Sequence, residues 1–557
     1  MKEILIINLK RLGDVMTTGY IASSLKDRFP QSKITLLTFK VNKKVAEKIE
    51  NIDHFTYIDR EHLLMLKRNR IFNASLLVDS FNNQLRELKN TKWEIVFNYT
   101  NDPVSSYLTS FFESESFCGI KHGQQSNIIH SSKASLYLNE VMPSYKYTPL
   151  HLQDVYSLIA NVEKSNNYGL KSVASNDELC KQKFSSLTKN EDGETTRYTV
   201  GIQLKSSSES KDISVETIIG LIKLMRKEER FLPVLLIAPC DKEIEASTHI
   251  NKFFDNELIT IETDFTALPS VLKNLDYLIT PCTAIKHAAD LCKTKVLEVS
   301  MGNAPIFKQG TIGEGNLILS PITLYRPCVT PKDQRSQDDF ADCKAIVKSQ
   351  DIFYALNTLH DPKYHAPERY SQNLTLYCVR NVGEYICYVP IAGDFNVHLE
   401  LTRIFAAEYS LRLLTNFKGD GFKEHIRTLF KEDELKCWAD AQKTSVTYYL
   451  RLILTTLRNI KSSQVSQKQS KEFIDRFTLL IDGGDNDHLT SVALNMFRGE
   501  VENMHVKSVE QNRERTERLL YGLKNNLQTL NTCIDDFIVY NKRAQILSTN
   551  KVGEISY

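Results

Sequence analysis

The sequence of 557 residues lacks several features that would assign it to a protein class at once. Lys and Arg total 70 against 68 for Asp and Glu, so the excess of positive charge typical of dedicated nucleic-acid-binding proteins is missing. Glycine and proline are scarce, at 21 and 15 residues, and 42% of the residues are hydrophobic, which excludes collagen-like chains and wholesale disorder. We therefore expect a globular protein that binds no nucleic acid.

Regular cysteine spacing and long apolar runs are also missing. The eleven cysteines show no CxxC spacing and are odd in number, which favours a reducing compartment over a disulfide-paired secreted protein. Cys328 and Cys343 are too irregularly placed among acidic and histidine residues to predict a metal site. The longest apolar stretches, such as residues 4–9 and 233–239, are far below the roughly 18–20 residues of a membrane-spanning helix. The N-terminal apolar run is closed by Lys10 and Arg11, too early for the apolar core of a signal peptide. These features predict a cytoplasmic protein.

The N-terminal part of the chain alternates between strand and helix patterns. Residues 3–8 form a continuous β-branched run, typical of a strand buried in a parallel sheet. A helical pattern over residues 15–29 follows, and Pro30 ends it. Further strand patterns cover 33–38, 94–98 and 117–120. The alternation predicts a doubly wound Rossmann-like domain over residues 1–165.

A second α/β series follows a polar linker at residues 164–198. Its strand patterns cover 198–204, 233–238, 258–261, 277–280 and 295–299, and its amphipathic helices cover 214–227, 241–253, 266–274 and 284–292. This series predicts a second Rossmann-like domain over residues 195–360.

The remainder, residues 361–557, is predicted to be mainly helical, with a small β-hairpin near residues 374–389. An apolar stripe with spacings of three and four runs along the last helix; its members are Val506, Val509, Thr516, Leu520, Leu523, Leu527, Leu530, Ile534 and Phe537. Such a stripe is typical of a helix-bundle seam, either buried within the chain's own helical domain or shared between two copies as a homodimer interface.

Three loops each follow a strand, at the edge where open α/β sheets bind ligands. The first, residues 10–14, contains Gly13, which permits a close backbone approach, and Asp14, which can serve as a helix cap or as a general base. The second, residues 205–211, offers four hydroxyls and two lysines for a diphosphate, or is a solvated polar loop. The third, residues 280–289, opens a helix whose N-terminal amides would face the same cleft.

Together these loops resemble the family 9 glycosyltransferases of the ADP-heptose:lipopolysaccharide heptosyltransferase type. The stretch ILIINLKRLGDVMTTGYIASSLKDRFPQSKITLLT resembles the opening of that family, and SSSESKDISVE resembles its phosphate loop. The stretch ITPCTAIKHAADLCKTKVLEVSMG resembles the segment of strand, Asp, Ser/Thr, Gly, two variable residues and His. The resemblance covers about residues 1–360. It implies the α/β GT-B architecture, in which an acceptor domain and a nucleotide-sugar domain, both Rossmann-like, face a cleft.

The resemblance also implies roles for individual residues. Asp14 matches the catalytic base, and Lys211 matches the lysine that neutralises the donor diphosphate. The other donor-site matches are Ser206, Ser207, Thr283, Ala284, His287 and Asp241. Cys282 and Ala284 stand where the family has Asp and Gly. The candidate acceptor residues are Lys10, Arg11, Arg60, Lys67 and Arg68, because basic groups beside an apolar run suit a phosphorylated glycolipid.

The implied function is inverting, metal-independent transfer of a sugar such as heptose from a nucleotide diphosphate donor to a saccharide or glycolipid of the bacterial cell envelope, as in lipopolysaccharide biosynthesis. ADP-heptose would be a co-substrate, and no cofactor is expected. The protein is expected in the cytoplasm, with peripheral contact to the inner membrane. A non-catalytic binding scaffold of the same architecture and a sugar-nucleotide epimerase remain alternatives.

Overall fold

A computed structural model describes the chain at residues 2–68, 73–124, 127–143, 150–190, 192–304, 306–322, 343–415, 432–461, 467–485, 489–504 and 508–552. The chain divides into two compact units. The first combines residues 1–122 with 151–395, and the second combines residues 123–150 with 396–557.

The elements are numbered along the described chain. The strands are β1 (Glu3–Ile7), β2 (Lys33–Phe39), β3 (His54–Ile58), β4 (Trp93–Asn98), β5 (Ser114–Cys118), β6 (Ile120–His122), β7 (Ile128–His130), β8 (Tyr198–Gln203), β9 (Phe231–Ile237), β10 (Ile259–Glu262), β11 (Tyr277–Pro281), β12 (Lys295–Val299), β13 (Leu317–Pro321), β14 (Leu374–Val382) and β15 (Tyr385–Gly393). The helices are α1 (Leu12–Met16), α2 (Thr18–Arg28), α3 (Lys43–Ala46), α4 (Arg60–Arg68), α5 (Asn73–Asn90), α6 (Pro103–Phe111), α7 (Lys133–Glu140), α8 (Leu152–Ala160), α9 (Ala174–Thr188), α10 (Val215–Glu228), α11 (Asp241–Lys252), α12 (Leu268–Lys273), α13 (Ala284–Cys292), α14 (Ile306–Gln309), α15 (Ser349–His360), α16 (Val397–Leu414), α17 (Glu432–Lys461), α18 (Gln467–Asp482), α19 (Thr490–Glu502) and α20 (Val509–Val552).

The first sheet has the strand order β3-β2-β1-β4-β5, and all its neighbouring strands are parallel. Residues 4–7 of β1 are completely buried, because apolar side chains cover both faces of a central parallel strand. After β1 the chain adds β2 and β3 on one side of the sheet, and it then adds β4 and β5 on the other side of β1. The switch point of this sheet therefore lies between β1 and β4. The loop that carries Asp14 follows β1 at this switch point, where doubly wound sheets bind their ligands.

The second sheet has the order β10-β9-β8-β11-β12-β13-β14-β15. Its first six strands are parallel, as predicted for a second Rossmann-like domain, and β14 and β15 are antiparallel additions. We predicted this hairpin within a C-terminal domain beginning at residue 361. The structure corrects that boundary, because Leu374, Leu376 and Cys378 of β14 are buried in the same core as the rest of the second sheet. The first unit therefore extends to residue 395.

The second unit also differs from the predicted boundaries. Residues 123–150 were assigned to the N-terminal domain, but they join residues 396–557. Helix α7 packs closely against α19, where Gly499 leaves room for the Glu140 side chain and a Cβ would collide with it. This close approach explains why the segment belongs with the helical unit.

The predicted apolar stripe on α20 is buried inside this chain. Six of its members are at most 2% exposed, namely Leu520, Leu523, Leu527, Leu530, Ile534 and Phe537. Helix α20 packs against α17 and α19, so the stripe forms a seam within the helical unit, the first of the two predicted alternatives. Val509 departs from the pattern with 87% exposure, and Val506 lies outside the described residues. None of the helices in the described ranges is both long enough and apolar enough to cross a membrane.

Candidate active site

Asp14 lies in a loop whose backbone is fixed by buried polar side chains. Arg11, not Asp14, occupies the N-cap of α1, so the alternative interpretation of Asp14 as a helix cap is wrong. Asn8 donates from Nδ2 to the Asp14 carbonyl at 3.0 Å and to Thr18 Oγ1 at 2.7 Å. Thr17 Oγ1 donates to the same Asp14 carbonyl at 2.7 Å. The backbone is therefore fixed through its carbonyl, and the carboxylate remains available for contacts across the site.

The Asp14 carboxylate reaches elements of the second sheet. Its Oδ1 accepts a hydrogen bond from Gln309 Nε2 at 3.1 Å. A Cβ placed on Gly13 would lie 3.2 Å from His287 Cδ2 and 3.3 Å from the Ala284 Cα, which is tighter than ordinary side-chain contacts. Glycine at position 13 therefore lets the first loop meet the start of α13. The structure brings Asp14, Ala284 and His287 together.

The start of α13 is tied to the neighbouring strand β8. Thr283 is the N-cap residue, but its hydroxyl donates to Gln203 Oε1 at 2.7 Å and makes no capping bond to the helix. Thr280 Oγ1 donates to the same Gln203 oxygen at 2.7 Å. The first-turn N–H groups of α13 are thus left to an external acceptor, and the helix dipole favours an anion there.

The serine loop is held by Asp212, a residue that the motifs did not single out. The Ser206 N–H donates to Asp212 Oδ1 at 2.7 Å, and Lys205 Nζ lies 3.4 Å from Asp212 Oδ2. The Ser206 hydroxyl donates to the Ser208 carbonyl within the loop, and Ser207 is exposed. No carboxylate in the described ranges pairs with Lys211, so its charge is available to a ligand.

Burial controls the titration of the groups around Asp14. Burial lowers the pKa of His287 far below its usual range, and the charges of Lys286, His151 and Lys211 act in the same direction. Burial also lowers the pKa of Lys10, and it lowers that of Lys308 to about 8 with help from the Lys10 charge, although Asp14 opposes both shifts. His287 is therefore neutral at pH 7, and Asp14 faces two lysines. Lys308 was not among the predicted residues because it lies in the short helix α14, outside every motif.

A buried lysine connects the core of the second domain to Asp14. Lys286 is completely buried, with Nζ 3.6 Å from Glu298 Oε2 and 3.8 Å from Cys282 Sγ. The same Nζ donates to the Gln309 carbonyl. Burial alone would lower the pKa of Lys286, but Cys282, Glu298 and Asp290 outweigh it and raise that pKa. Cys282 thus lies beside an ammonium group.

The other predicted residues differ in their exposure and in whether they lie at the Asp14 site. Asp241 is exposed at the start of α11, after the strand next to β8. Lys10 is at the site, where its Nζ donates to the Tyr156 hydroxyl at 2.9 Å, whereas Arg11 is exposed.

The basic residues of α4 form a separate surface. Helix α4 follows the outer strand β3, two strands from β1, and has no buried residue. Its members Arg60, Lys67 and Arg68 are all exposed, and the Arg60 guanidinium lies over the Phe39 ring. Cys328 lies outside the described residues, and Cys343 is buried. The described part of the chain contains no group of three or more metal-ligating side chains.

Comparisons with known proteins found similar solved structures only. No family model and no curated protein matches the chain. A family 9 glycosyltransferase from Veillonella parvula is 17% identical, with a TM-score of 0.48 over 64% of this chain and 97% of that one. The ADP-heptose lipopolysaccharide heptosyltransferase II of E. coli is 12% identical, with a TM-score of 0.44 over 64% of this chain and 98% of that one. A UDP-GlcNAc 2-epimerase from Neisseria meningitidis is 11% identical, with a TM-score of 0.32 over 65% and 93%. At these scores, a functional assignment depends on the site residues.

Proposed function

We propose that this chain is an inverting glycosyltransferase in which Asp14 is the general base. The observation that carries the proposal is the position of the Asp14 carboxylate. It follows the central strand of the first sheet, bonds to Gln309 of the second domain and lies where Gly13 meets the start of α13. A carboxylate and a helix N-terminus with N–H donors suited to an anion therefore occur in one site between the two sheets.

The proposed reaction is a single displacement. The acceptor hydroxyl gives its proton to Asp14 as its oxygen bonds to the anomeric carbon, and the bond from that carbon to the diphosphate breaks with its electron pair leaving on the diphosphate. Attack opposite the leaving group inverts the anomeric configuration. His287 is a weak base here, because burial and neighbouring positive charges keep its pKa far below the usual range. Asp14 is thus favoured as the base.

The departing diphosphate is the group that Lys211 and the N–H groups of α13 would stabilise. Both supply positive charge or donors where negative charge develops, which is the most effective use of such groups in catalysis. No metal ion has a part in this proposal. The motif resemblance makes ADP-heptose the first donor to test, with a cell-envelope saccharide or glycolipid as acceptor. The exposed basic face of α4 is proposed to contact the glycolipid at the membrane surface.

Asp14→Asn tests the base. With a donor identified by thermal shift against a panel of nucleotide sugars, we expect nucleoside diphosphate release to fall by about 100-fold or more. The matched control is Asp27→Asn, which removes an exposed carboxylate from α2 and should leave the rate unchanged. Proton NMR of the product reads its anomeric configuration. An unchanged rate in Asp14→Asn would show that the base is another group.

Other outcomes of the same assay separate the alternatives. Conversion of the donor without any acceptor would favour the epimerase, and failure of every nucleotide sugar to raise the melting temperature would favour the binding scaffold.

Lys211→Ala tests the phosphate site. Losing one charge-assisted contact of about 1.5–3 kcal/mol should weaken ADP binding by roughly tenfold or more in calorimetric titration. The control Lys223→Ala removes an exposed lysine of α10 and should not change the affinity. Equal ADP affinity in Lys211→Ala and the wild type would place the phosphate site elsewhere.

A further inference from the structure

One oxygen of the Asp14 carboxylate is held by a protein donor, and the other is left for a substrate. Oδ1 accepts from Gln309 Nε2 at 3.1 Å. Among the described residues, none donates to Oδ2, and no lysine Nζ lies within 4.0 Å of either oxygen. Lys10, the cation at the site, donates instead to the Tyr156 hydroxyl at 2.9 Å. A proton taken from a substrate hydroxyl would therefore go to Oδ2.

The donor on Oδ1 is a neutral amide, which suits a carboxylate that has to accept a proton. A hydrogen bond from Gln309 Nε2 fixes the rotation of the carboxylate and favours its charged form. An ammonium group in the same place would favour the charged form much more strongly and would make Asp14 a weaker base. The amide therefore orients the carboxylate at a smaller cost in basicity.

The backbone that carries Gln309 is fixed by a buried ion pair. Lys286 Nζ donates to the Gln309 carbonyl, and two residues later the Thr311 N–H donates to Glu298 Oε2 at 2.9 Å. Lys286 and Glu298 have no exposed surface, and their charged atoms lie 3.6 Å apart. Separating the pair would leave an uncompensated charge in the core. The two ends of the pair thus hold the chain on either side of Gly310.

Packing fixes the same turn from the other side. Ile306, at the start of α14, is buried in an apolar cluster with Ile318 and Tyr388. The Gly310 N–H donates to the Ile306 carbonyl at 2.7 Å. A Cβ at Gly310 would lie 2.6 Å from that carbonyl oxygen and 2.9 Å from the Tyr388 hydroxyl oxygen. The turn is therefore close-packed, and it sets the direction in which Gln309 leaves the backbone.

We propose that Gln309 is the positioning residue of the base, holding Asp14 Oδ1 so that Oδ2 faces the acceptor hydroxyl. This role rests on the proposed transferase function. Gln309 acts through Asp14 and takes no proton itself. Without it, the carboxylate would rotate about its Cβ–Cγ bond and hold Oδ2 in the productive direction for only part of the time. Misplacement of a reacting group by about 1 Å can cost about 100-fold in rate.

Gln309→Met tests this role, because methionine keeps the length of the side chain and lacks the donor. We expect kcat to fall by about 10- to 100-fold, with KM for the nucleotide sugar nearly unchanged. The acid limb of the pH–rate profile should move up by about one pH unit or more, since a hydrogen bond to the charged carboxylate is lost. The control Gln182→Met removes an exposed amide that donates to Glu178 Oε1 at 2.9 Å, and it should change neither kcat nor the profile.

A double variant separates positioning of Asp14 from a merely structural role. Once Asp14→Asn has removed the carboxylate, adding Gln309→Met should not lower the residual rate further. A further loss as large as in the wild-type background would overturn the proposal. An unchanged kcat and acid limb in Gln309→Met, with Asp14→Asn inactive, would also overturn it and would leave Asp14 as the base. Full activity in Asp14→Asn, or no turnover by the wild type, would instead refute the proposed function on which this role rests.

Discussion

Lys286→Met removes the ammonium group that links the buried core of the second domain to Asp14. In the wild type, Lys286 Nζ lies 3.6 Å from Glu298 Oε2 and donates to the Gln309 carbonyl, while the Gln309 side chain bonds to Asp14. Methionine has a similar length and no charge. The variant therefore fills most of the same space but leaves the Glu298 carboxylate buried without its counter-ion.

The expected cost is large because little else compensates Glu298. Its Oε2 still accepts from the Thr311 N–H at 2.9 Å, but its Oε1 has no partner in the described ranges. Removing one partner of a buried ion pair costs about 3–5 kcal/mol. The unit combines residues 1–122 with 151–395, and at this size an unfolding entropy of about 2.1 cal/mol/K per residue gives roughly 1.3 °C per kcal/mol. The melting temperature of this unit should therefore fall by about 4–7 °C. Replacing both ions, as in Lys286→Met with Glu298→Met, should recover most of the loss, since apolar pairs commonly replace buried ion pairs without penalty.

Differential scanning calorimetry of the full chain at pH 7 measures both variants. The control Lys242→Met changes an exposed lysine of α11 and should leave the melting temperature unchanged. Lys286→Met melting within about 1 °C of the wild type would refute the reasoning, because the buried pair would then contribute less than about 1 kcal/mol. A double variant no more stable than Lys286→Met would refute the role of Glu298 as the uncompensated charge.

Three further predictions follow from single residues. Burial raises the pKa of Asp290 to about 6, so the carboxyl group holds a proton more tightly in the folded state. The protonated carboxyl therefore adds up to about 3 kcal/mol to the free energy of unfolding; this contribution is complete below about pH 4 and is lost as the pH rises through 6. Asp290→Asn should flatten thermal stability between pH 4 and 6, and an unchanged profile would contradict this. Gly302→Ala should weaken ADP binding, because Gly302 has φ +64° and an added Cβ would lie 2.8 Å from the Ser210 carbonyl oxygen of the serine loop. Gly522→Ala is the contrasting substitution: its Cβ would point into open space on α20, and it should stabilise the helix by about 1 kcal/mol. Leu527→Ala should cost about 2–5 kcal/mol in calorimetry, and a loss below about 1 kcal/mol would mean that the seam is loosely packed.

Central strands were predictable because burial on both faces leaves a continuous apolar run. The patterns at 198–204 and 295–299 match β8 and β12 to within one residue. Outer strand β3 was missed because its half-exposed residues break such a run, and β13 was missed because it is short and ends in proline, which argues against a strand. The hairpin was predicted as such, but placing it in the second sheet required knowing that β13, which pairs with β12 on one side, would otherwise have an unpaired edge on the other.

The site was predictable only where one short segment carries the pattern. Gly13 and Asp14 are adjacent, and the Ala284 to His287 segment spans one helical turn. Gln309 was missed because its bond to Asp14 joins residues 295 positions apart in sequence. Lys286 was missed because its contacts with Glu298 and the Gln309 carbonyl join separate secondary-structure elements, which no local spacing reveals.

The hairpin also sets the order in which the first unit can be completed during synthesis. All five residues of β13 are buried, and their antiparallel partner begins only at Leu374 and ends its hairpin at Gly393. At about 5–20 residues per second, a growing chain carries this apolar strand for several seconds before the hairpin that contains its antiparallel neighbour β14 has been synthesised. An unpaired apolar edge of that kind promotes association with other chains. A fragment intended to retain both sheets must therefore continue through Gly393, and one that stops near residue 360 should aggregate.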